Sequence, residues 1–252
     1  MKRLSYLKRV AAVVFAASIV LATPLAAATF GKLAGQVYGS GNKVVVVLHG
    51  DVSRGGPADY HYAFAKQIAS RNKGVTAIAL LRPGYADRKG QKSGGSNSGR
   101  RDHYTKRNND MVAQALSAIK KQYGAKRLIV VGHSGGAAQA GVILGRYPGL
   151  ISGAVLVSCP CNIPAWRAAK NASAWSRSQS PHRFVKNIRR GTPVVLITGS
   201  KDTNTKPNLA QDFAAKAKAA GARASFVSAN GAGHGFNRLS GKAASAVKSM
   251  VR

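Results

Sequence analysis

Apolar residues along this chain come in short, unbroken, β-branched runs, and between the runs polar and apolar positions recur at helical spacing. Lys43 to Leu48 reads Lys-Val-Val-Val-Val-Leu and ends at His49-Gly50, which predicts a strand buried on both faces. Ala58 to Ser70 follows as a predicted helix with Tyr62, Ala65 and Ala69 on one face. Val75 to Leu81 is then a second strand, running into Arg82-Pro83-Gly84. Asn108 to Tyr123 carries Met111, Ala115, Leu116 and Ile119 at helical spacing. The rhythm continues with a strand at Arg127 to Val131 and a small-residue helix at Gly135 to Arg146. Further strands are expected at Ile151 to Ser158, Pro193 to Thr198 and Ala224 to Ser228, with helices at Leu209 to Ala220 and after the last strand. Continuous apolar strands alternating with helices indicate an α/β fold. Its central sheet is mostly parallel, with helices on both faces, in one domain.

Two stretches break the rhythm. Arg88 to Arg101 is rich in Gly, Ser and Asn and is expected to be a mobile loop. Residues 160–191 separate two strands and include Trp166, Trp175 and Phe184, enough for a small helical cap. Both follow the C-terminal ends of strands, the edge at which open α/β sheets bind ligands.

Residues 1–28 have a different character. Lys2, Arg3, Lys8 and Arg9 precede an apolar run from Val10 to Ala22, and Ala26-Ala27-Ala28 supplies a small-residue cleavage pattern. The run is shorter than the ~20 residues that span a bilayer. The expectation is a signal peptide, a domain over 29–252, export to the periplasm or the outside of a bacterium, and no membrane span once the signal is removed.

Composition sharpens this picture in one respect. The 252 residues hold 39 Lys and Arg against 7 acids, all of them Asp, for a formal charge of +32. A multi-carboxylate metal site is disfavoured, and any single Asp near a site becomes informative. Two cysteines exclude a disulfide-dense scaffold.

Chemistry concentrates at Gly132-His133-Ser134-Gly135-Gly136, a G-x-S-x-G pattern between a predicted strand and a predicted helix. Small flanking residues there permit the sharp turn that lifts a serine hydroxyl above the sheet. A serine nucleophile needs a histidine to take its proton and an acid to hold that histidine. Downstream stand two acids, Asp202 and Asp212, and two histidines, His182 and His234. Asp202 lies just past a strand and His234 sits in Gly-Ala-Gly-His-Gly after the last one. Asp212 falls within a helical pattern and His182 within the basic cap. The candidate triad is therefore Ser134, His234 and Asp202. Candidate oxyanion donors are the backbone N–H groups of Gly135 and of Asp51, with His49 orienting the Asp51 loop. No cofactor or metal is called for.

The motifs His49-Gly50, Arg82-Pro83-Gly84-Tyr85, the serine turn, Gly-Ser-Lys-Asp202 and Gly-His234-Gly-Phe occur in this order. Together they resemble the α/β-hydrolase family over essentially Lys43 to Val251. The resemblance implies the α/β-hydrolase fold and a serine hydrolase acting through an acyl-enzyme. The expected substrate is a small carboxylic ester or acyl compound. A serine peptidase or aminopeptidase of the same fold is one alternative, and a non-catalytic polyanion-binding protein on this scaffold is another. Arg82 to Arg107 and Arg167 to Arg190 are strongly basic and are expected beside the site's mouth, favouring an anionic substrate or an anionic envelope surface. No nucleic-acid-binding module is present, so specific nucleic-acid recognition is not expected. Cys159-Pro160-Cys161 admits either a local disulfide or two buried thiols; two thiols are too few for a zinc site.

Overall fold

The computed structural model describes residues 26–252. Eight strands form one sheet: β1 (Ala26–Phe30), β2 (Leu33–Gly39), β3 (Lys43–Leu48), β4 (Val75–Leu80), β5 (Arg127–His133), β6 (Gly153–Val157), β7 (Pro193–Gly199) and β8 (Arg223–Ala229). Their order across the sheet is β1-β2-β4-β3-β5-β6-β7-β8. The first two pairings, β1 with β2 and β2 with β4, are antiparallel; the rest are parallel. Six helices accompany them: α1 (Tyr62–Arg71), α2 (Lys106–Gln122), α3 (Gly135–Arg146), α4 (Ile163–Ala168), α5 (Pro207–Ala219) and α6 (Ser240–Val251).

The valine run of β3 explains the two-layer core. Val44, Val46 and Leu48 point to one face and belong to the buried cluster that includes Leu116 and Ile119 of α2, Ile143 of α3 and, further along the sheet, Phe213 of α5. Val45 and Val47 point to the other and belong to the buried cluster that includes Phe64 and Ile68 of α1 and Val247 of α6. Alternating side chains on a strand covered twice must all be apolar, so no polar residue interrupts the run.

The N-terminal hairpin lay outside the sequence expectation. Leu33–Gly39 reads Leu-Ala-Gly-Gln-Val-Tyr-Gly, which has neither a β-branched run nor clean alternation. Gly35 is needed there because a Cβ would fall 2.8 Å from the Ala79 carbonyl of β4. The expected signal lies outside the described residues except for Ala26–Ala28, which form the first three positions of β1. Phe30, in the last position of β1, is buried in the core.

Smaller differences have local causes. The first helix begins at Tyr62, four residues later than its pattern suggests. Pro57 precedes a turn in which the Tyr62 N–H bonds the Asp59 carbonyl and Ala58 bonds Ala86. The loop from Arg88 to Arg101 is tied down at its start rather than free. The Asp87 carboxylate accepts from the Lys89 and Gln91 N–H groups at 2.9 Å each, and Ala86 bridges Lys92. Residues 160–191 contain α4 and several short turns. Trp166 and Trp175 pack edge to face there, with Arg167 over both rings. Cys159 and Cys161 form a disulfide with Cα atoms 5.0 Å apart, which settles the open choice at that turn. Among the described residues, no helix is long and apolar enough to cross a membrane.

Phe30 measures whether the hairpin belongs to the folded unit. Replacing it with Ala is expected to lower the stability by about 3–5 kcal/mol in urea unfolding, the usual loss for a buried Phe. A loss below about 1 kcal/mol would mean that β1 lies outside the cooperative fold.

Candidate active site

Ser134 stands between β5 and α3 with φ 51° and ψ −117°, a left-handed conformation that L-residues avoid. The flanking glycines make this turn sterically feasible. A Cβ on Gly132 would lie 2.5 Å from the Gly136 carbonyl, and one on Gly136 would lie 2.5 Å from the carbonyls of both Leu48 and His49. The Ser134 N–H bonds the Val157 carbonyl at 2.8 Å, which ties the turn to the end of β6.

The structure brings Ser134, His234 and Asp202 together. Ser134 Oγ lies 3.0 Å from His234 Nε2, and His234 Nδ1 lies 2.9 Å from Asp202 Oδ2. The carboxylate accepts from Nδ1–H, which leaves Nε2 as the acceptor facing the serine hydroxyl. The Asp202 side chain is fully buried, whereas His234 is partly exposed. Burial pushes the Asp202 carboxyl upward, but the hydrogen bond and charge of His234 and the N–H and hydroxyl of Thr205 outweigh it. The net position is below the usual carboxylate range. Asp212 is exposed on α5, and His182 bonds Ser180 within the cap, so neither joins this group.

Two neighbours escaped the sequence reading. Thr205 donates its hydroxyl to Asp202 Oδ2 at 2.8 Å, and its N–H and that of Asn204 bond Asp202 Oδ1 at 2.9 Å each. The Asn204 side-chain amide donates to His234 Nε2 at 3.1 Å, and its Oδ1 is held by Lys170 of the cap. Asp-x-Asn-Thr is a recognisable side-chain-capped turn in which an Asp bonds backbone N–H groups two and three residues on. That signal was available in the sequence.

Gly135 and Asp51 meet at the loop after β3. Gly135 is the first residue of α3, where helical N–H groups lack intrahelical partners. Among the described residues no acceptor bonds the Asp51 N–H. His49 sets its direction: Nδ1–H donates to the Gly50 carbonyl at 2.6 Å, while Nε2 accepts from the Arg82 N–H at 3.0 Å. In a planar trans peptide the carbonyl and the following N–H point opposite ways, so pinning the Gly50 carbonyl aims the Asp51 N–H away from His49.

The Asp51 side chain turns inward, to where a Cβ on Gly135 would sit only 2.0 Å from its Oδ1. Arg82 Nη1 bonds it at 2.9 Å and the Tyr104 hydroxyl at 2.5 Å. Arg82 is thus fully buried rather than part of a basic rim. Its remaining N–H groups go to Gln139, the His49 carbonyl and His103. Burial raises the Asp51 carboxyl, but the Arg82 guanidinium, His103 and Tyr104 more than reverse this and hold it far below the usual range.

A second chain of hydrogen bonds links this loop to the histidine loop. The Gly50 N–H donates to Tyr60 Oη at 2.5 Å, the Tyr60 hydroxyl donates to His133 Nδ1 at 2.6 Å, and His133 Nε2–H donates to the His234 carbonyl at 2.9 Å. The variable position of the serine motif therefore holds the backbone of His234. Burial, reinforced by His234, pushes His133 down to about 4. Burial also lowers His61 to about 3 and keeps His49 and His103 below their ordinary value.

The fold and this residue set define a serine hydrolase of the α/β-hydrolase fold. Residues 85–251 match the prolyl oligopeptidase family, Peptidase_S9, and the chain belongs to it. Its fold is similar to that of an esterase of Pyrococcus furiosus, with TM-score 0.70, 17% identity and 96% of each chain covered. An esterase of Pyrobaculum calidifontis gives TM-score 0.67 at 17% identity over 90% of this chain and 85% of that one. The acylaminoacyl peptidase of Pyrococcus horikoshii gives TM-score 0.59 at 16% identity over 81% of this chain and 36% of that one. No curated protein matches the chain in sequence.

Two predictions follow from the buried charges. Arg82→Met leaves the Asp51 carboxylate unpaired and is expected to destabilise the fold by about 3–5 kcal/mol. Adding Asp51→Asn should recover part of that loss, since contacting residues couple by about 0.5–3 kcal/mol. Strictly additive urea midpoints would remove the pairing. The buried histidines dictate the pH response. Their folded pKa values lie below the unfolded value of about 6.5, so their contribution is complete above that pH and is lost as pH falls toward 4. Each adds a slope of up to about 1.4 kcal/mol per pH unit in that window. Urea midpoints that stay flat from pH 7 to about pH 4.5 would contradict this assignment.

Proposed function

We propose that this chain is an exported hydrolase that cleaves small carboxylic esters through an acyl-enzyme on Ser134. The observation that carries the reading is the series Ser134 Oγ, His234 Nε2, His234 Nδ1 and Asp202 Oδ2, with its two contacts of 3.0 and 2.9 Å. Ser134 attacks the ester carbonyl carbon as its proton passes to His234 Nε2. The carbonyl oxygen becomes an oxyanion, facing the Gly135 and Asp51 N–H groups. The C–O bond to the alcohol then breaks, and His234 returns the proton to the leaving oxygen. Water repeats the sequence in reverse, with His234 as base, to release the acid and restore Ser134. Asp202 stays ionised and holds the imidazolium. Thr205 keeps Asp202 in place, and the cap reaches the base through Lys170 and Asn204.

The family match favours a second reading, hydrolysis of short peptides or acylated amines by the same three residues. Leaving-group chemistry separates the two. Export rests on the basic and apolar character of residues 1–28 and is tested by comparing the N-terminus of the cell-envelope protein with that of the full chain.

A fluorophosphonate probe is expected to label wild-type protein at Ser134 and to leave Ser134→Ala unlabelled. Asp202→Asn should lower kcat by about 10⁴-fold, because the imidazole loses its tautomer and orientation. Turnover of p-nitrophenyl acetate and butyrate is expected to exceed that of aminoacyl p-nitroanilides. Faster turnover of the anilides would establish the peptidase reading, and no labelling of folded wild-type protein would defeat both.

A further inference from the structure

A concavity of about 650 Å³ lies far from the serine, at the edge where β5, β7 and β8 begin, between those strand starts and the last turn of α6. Ser134, Asp202 and His234 follow the ends of the same strands. A seven-residue strand such as β7 is about 20 Å long, so the two sites are separated by about the length of the strands. Five cationic side chains line the basal pocket: Lys126, Arg127, Arg189, Arg190 and Arg223. No carboxylate lines it.

This imbalance is more than the general basicity of the chain. Its acids are few and already engaged: Asp51 with Arg82, Asp59 with Arg88, Asp102 with Arg177, Asp110 with Lys106 and Arg146, and Asp202 with His234. Asp87 bonds Tyr62 and two backbone N–H groups, which leaves Asp212 exposed on α5. None of the five pocket cations has a carboxylate within salt-bridge distance among the described residues. Backbone contacts nevertheless hold several of them in place. Arg127 Nη1 donates to the Met250 carbonyl at 2.7 Å, and Arg223 Nε donates to the Gly191 carbonyl at 3.0 Å. Arg190 lies flat over Gly221, where a Cβ would meet its Nη1 at 2.9 Å. Arg127 and Arg223 thus spend one donor each on positioning and keep the remainder for a ligand, while no hydrogen bond within the protein engages the guanidiniums of Arg189 and Arg190 among the described residues.

We infer that this basal pocket binds a phosphorylated ligand. Several clustered guanidiniums without counter-charge favour an anion carrying at least two charges, and their planar forks match the oxygens of a phosphate group. The ligand is either a free phosphate compound or a phospholipid headgroup; both present the same chemistry. The site stands independently of the hydrolase reading, because no residue of one belongs to the other.

Isothermal titration with inorganic pyrophosphate at physiological salt tests the inference on the full chain. Saturable binding to one site is expected. The triple variant Arg189→Ala, Arg190→Ala, Arg223→Ala should weaken it at least tenfold. The control triple Lys89→Ala, Lys92→Ala, Arg101→Ala removes the same charge from an exposed loop on another part of the surface and should change it less than twofold. Should the pocket triple fail to fold, Arg189→Ala alone carries the test, with a loss of at least threefold. Equal losses in the two triples, or no saturable binding by the wild type, would overturn the site. Co-sedimentation with phosphatidylcholine vesicles, with and without phosphatidic acid, then assigns the source. Capture only by the phosphatidic acid vesicles identifies a headgroup, and pyrophosphate binding without capture identifies a free phosphate compound.

Discussion

Everything at the reactive edge of this molecule depends on how closely the first turn of α3 lies against the backbone that leaves β3. A Cβ on Gly136 would collide with two carbonyl oxygens of that backbone, and one on Gly132 would collide with α3 itself. Only glycine permits this approach. The approach puts Ser134 in its left-handed conformation, which costs about 1–3 kcal/mol and persists because the surroundings over-determine it. It also leaves the Asp51 side chain nowhere to go but inward, against Gly135. A carboxylate driven into that position requires a buried cation, and Arg82 supplies it. The Arg82-Pro-Gly-Tyr sequence after β4 is therefore a consequence of the serine turn, two strands away in the sheet.

The same constraint explains why the site is surrounded by histidines kept neutral. An imidazole with one donor and one acceptor nitrogen can join two groups of opposite polarity, which no aliphatic or charged side chain does. His49 does this between the Gly50 carbonyl and the Arg82 N–H. His133 does it between the Tyr60 hydroxyl and the His234 carbonyl. Protonation would convert each acceptor into a donor facing a donor. Their lowered pKa values are thus part of holding the loops in register, and the pH response of the fold is tied to the geometry of the site.

How far the residues alone disclosed this arrangement depended on whether the signal was local. The parallel strands and their helices were legible because burial on both faces forces unbroken apolar runs. Ser134, Asp202 and His234 were legible because each occupies a strand end in a chain nearly without acids. The hairpin β1–β2 was not, since Gly35 is there for close approach to β4 and Gln36 for its bond to Gln91, neither of which β propensity signals. Nor was the inward turn of Asp51, nor the Tyr60–His133 chain, because both depend on residues brought together from different loops. Thr205 and Asn204 lay between these cases: the turn was readable, but its contact with the base was not.

The basic segments show the same limit most clearly. Arg82 and Arg190 belong to two runs that the linear order places beside the site, yet the fold sends one into the interior and the other to the opposite edge of the sheet. A parallel strand carries its first and last residues to opposite ends of the molecule, so charges immediately before a strand cannot share an edge with the loop that follows it. Residues 189–190 immediately precede β7, whereas Asp202 follows it. The net charge of +32 is therefore not a single property with one partner. On the cap, Lys170 bonds Asn204, whose amide in turn bonds His234. The cations at the strand starts lie some 20 Å away along the strands, about two Debye lengths at physiological salt, and are screened from Ser134, His234 and Asp202. Any attraction they exert must be exercised on a different ligand, and one that binds there would leave the serine facing away from it.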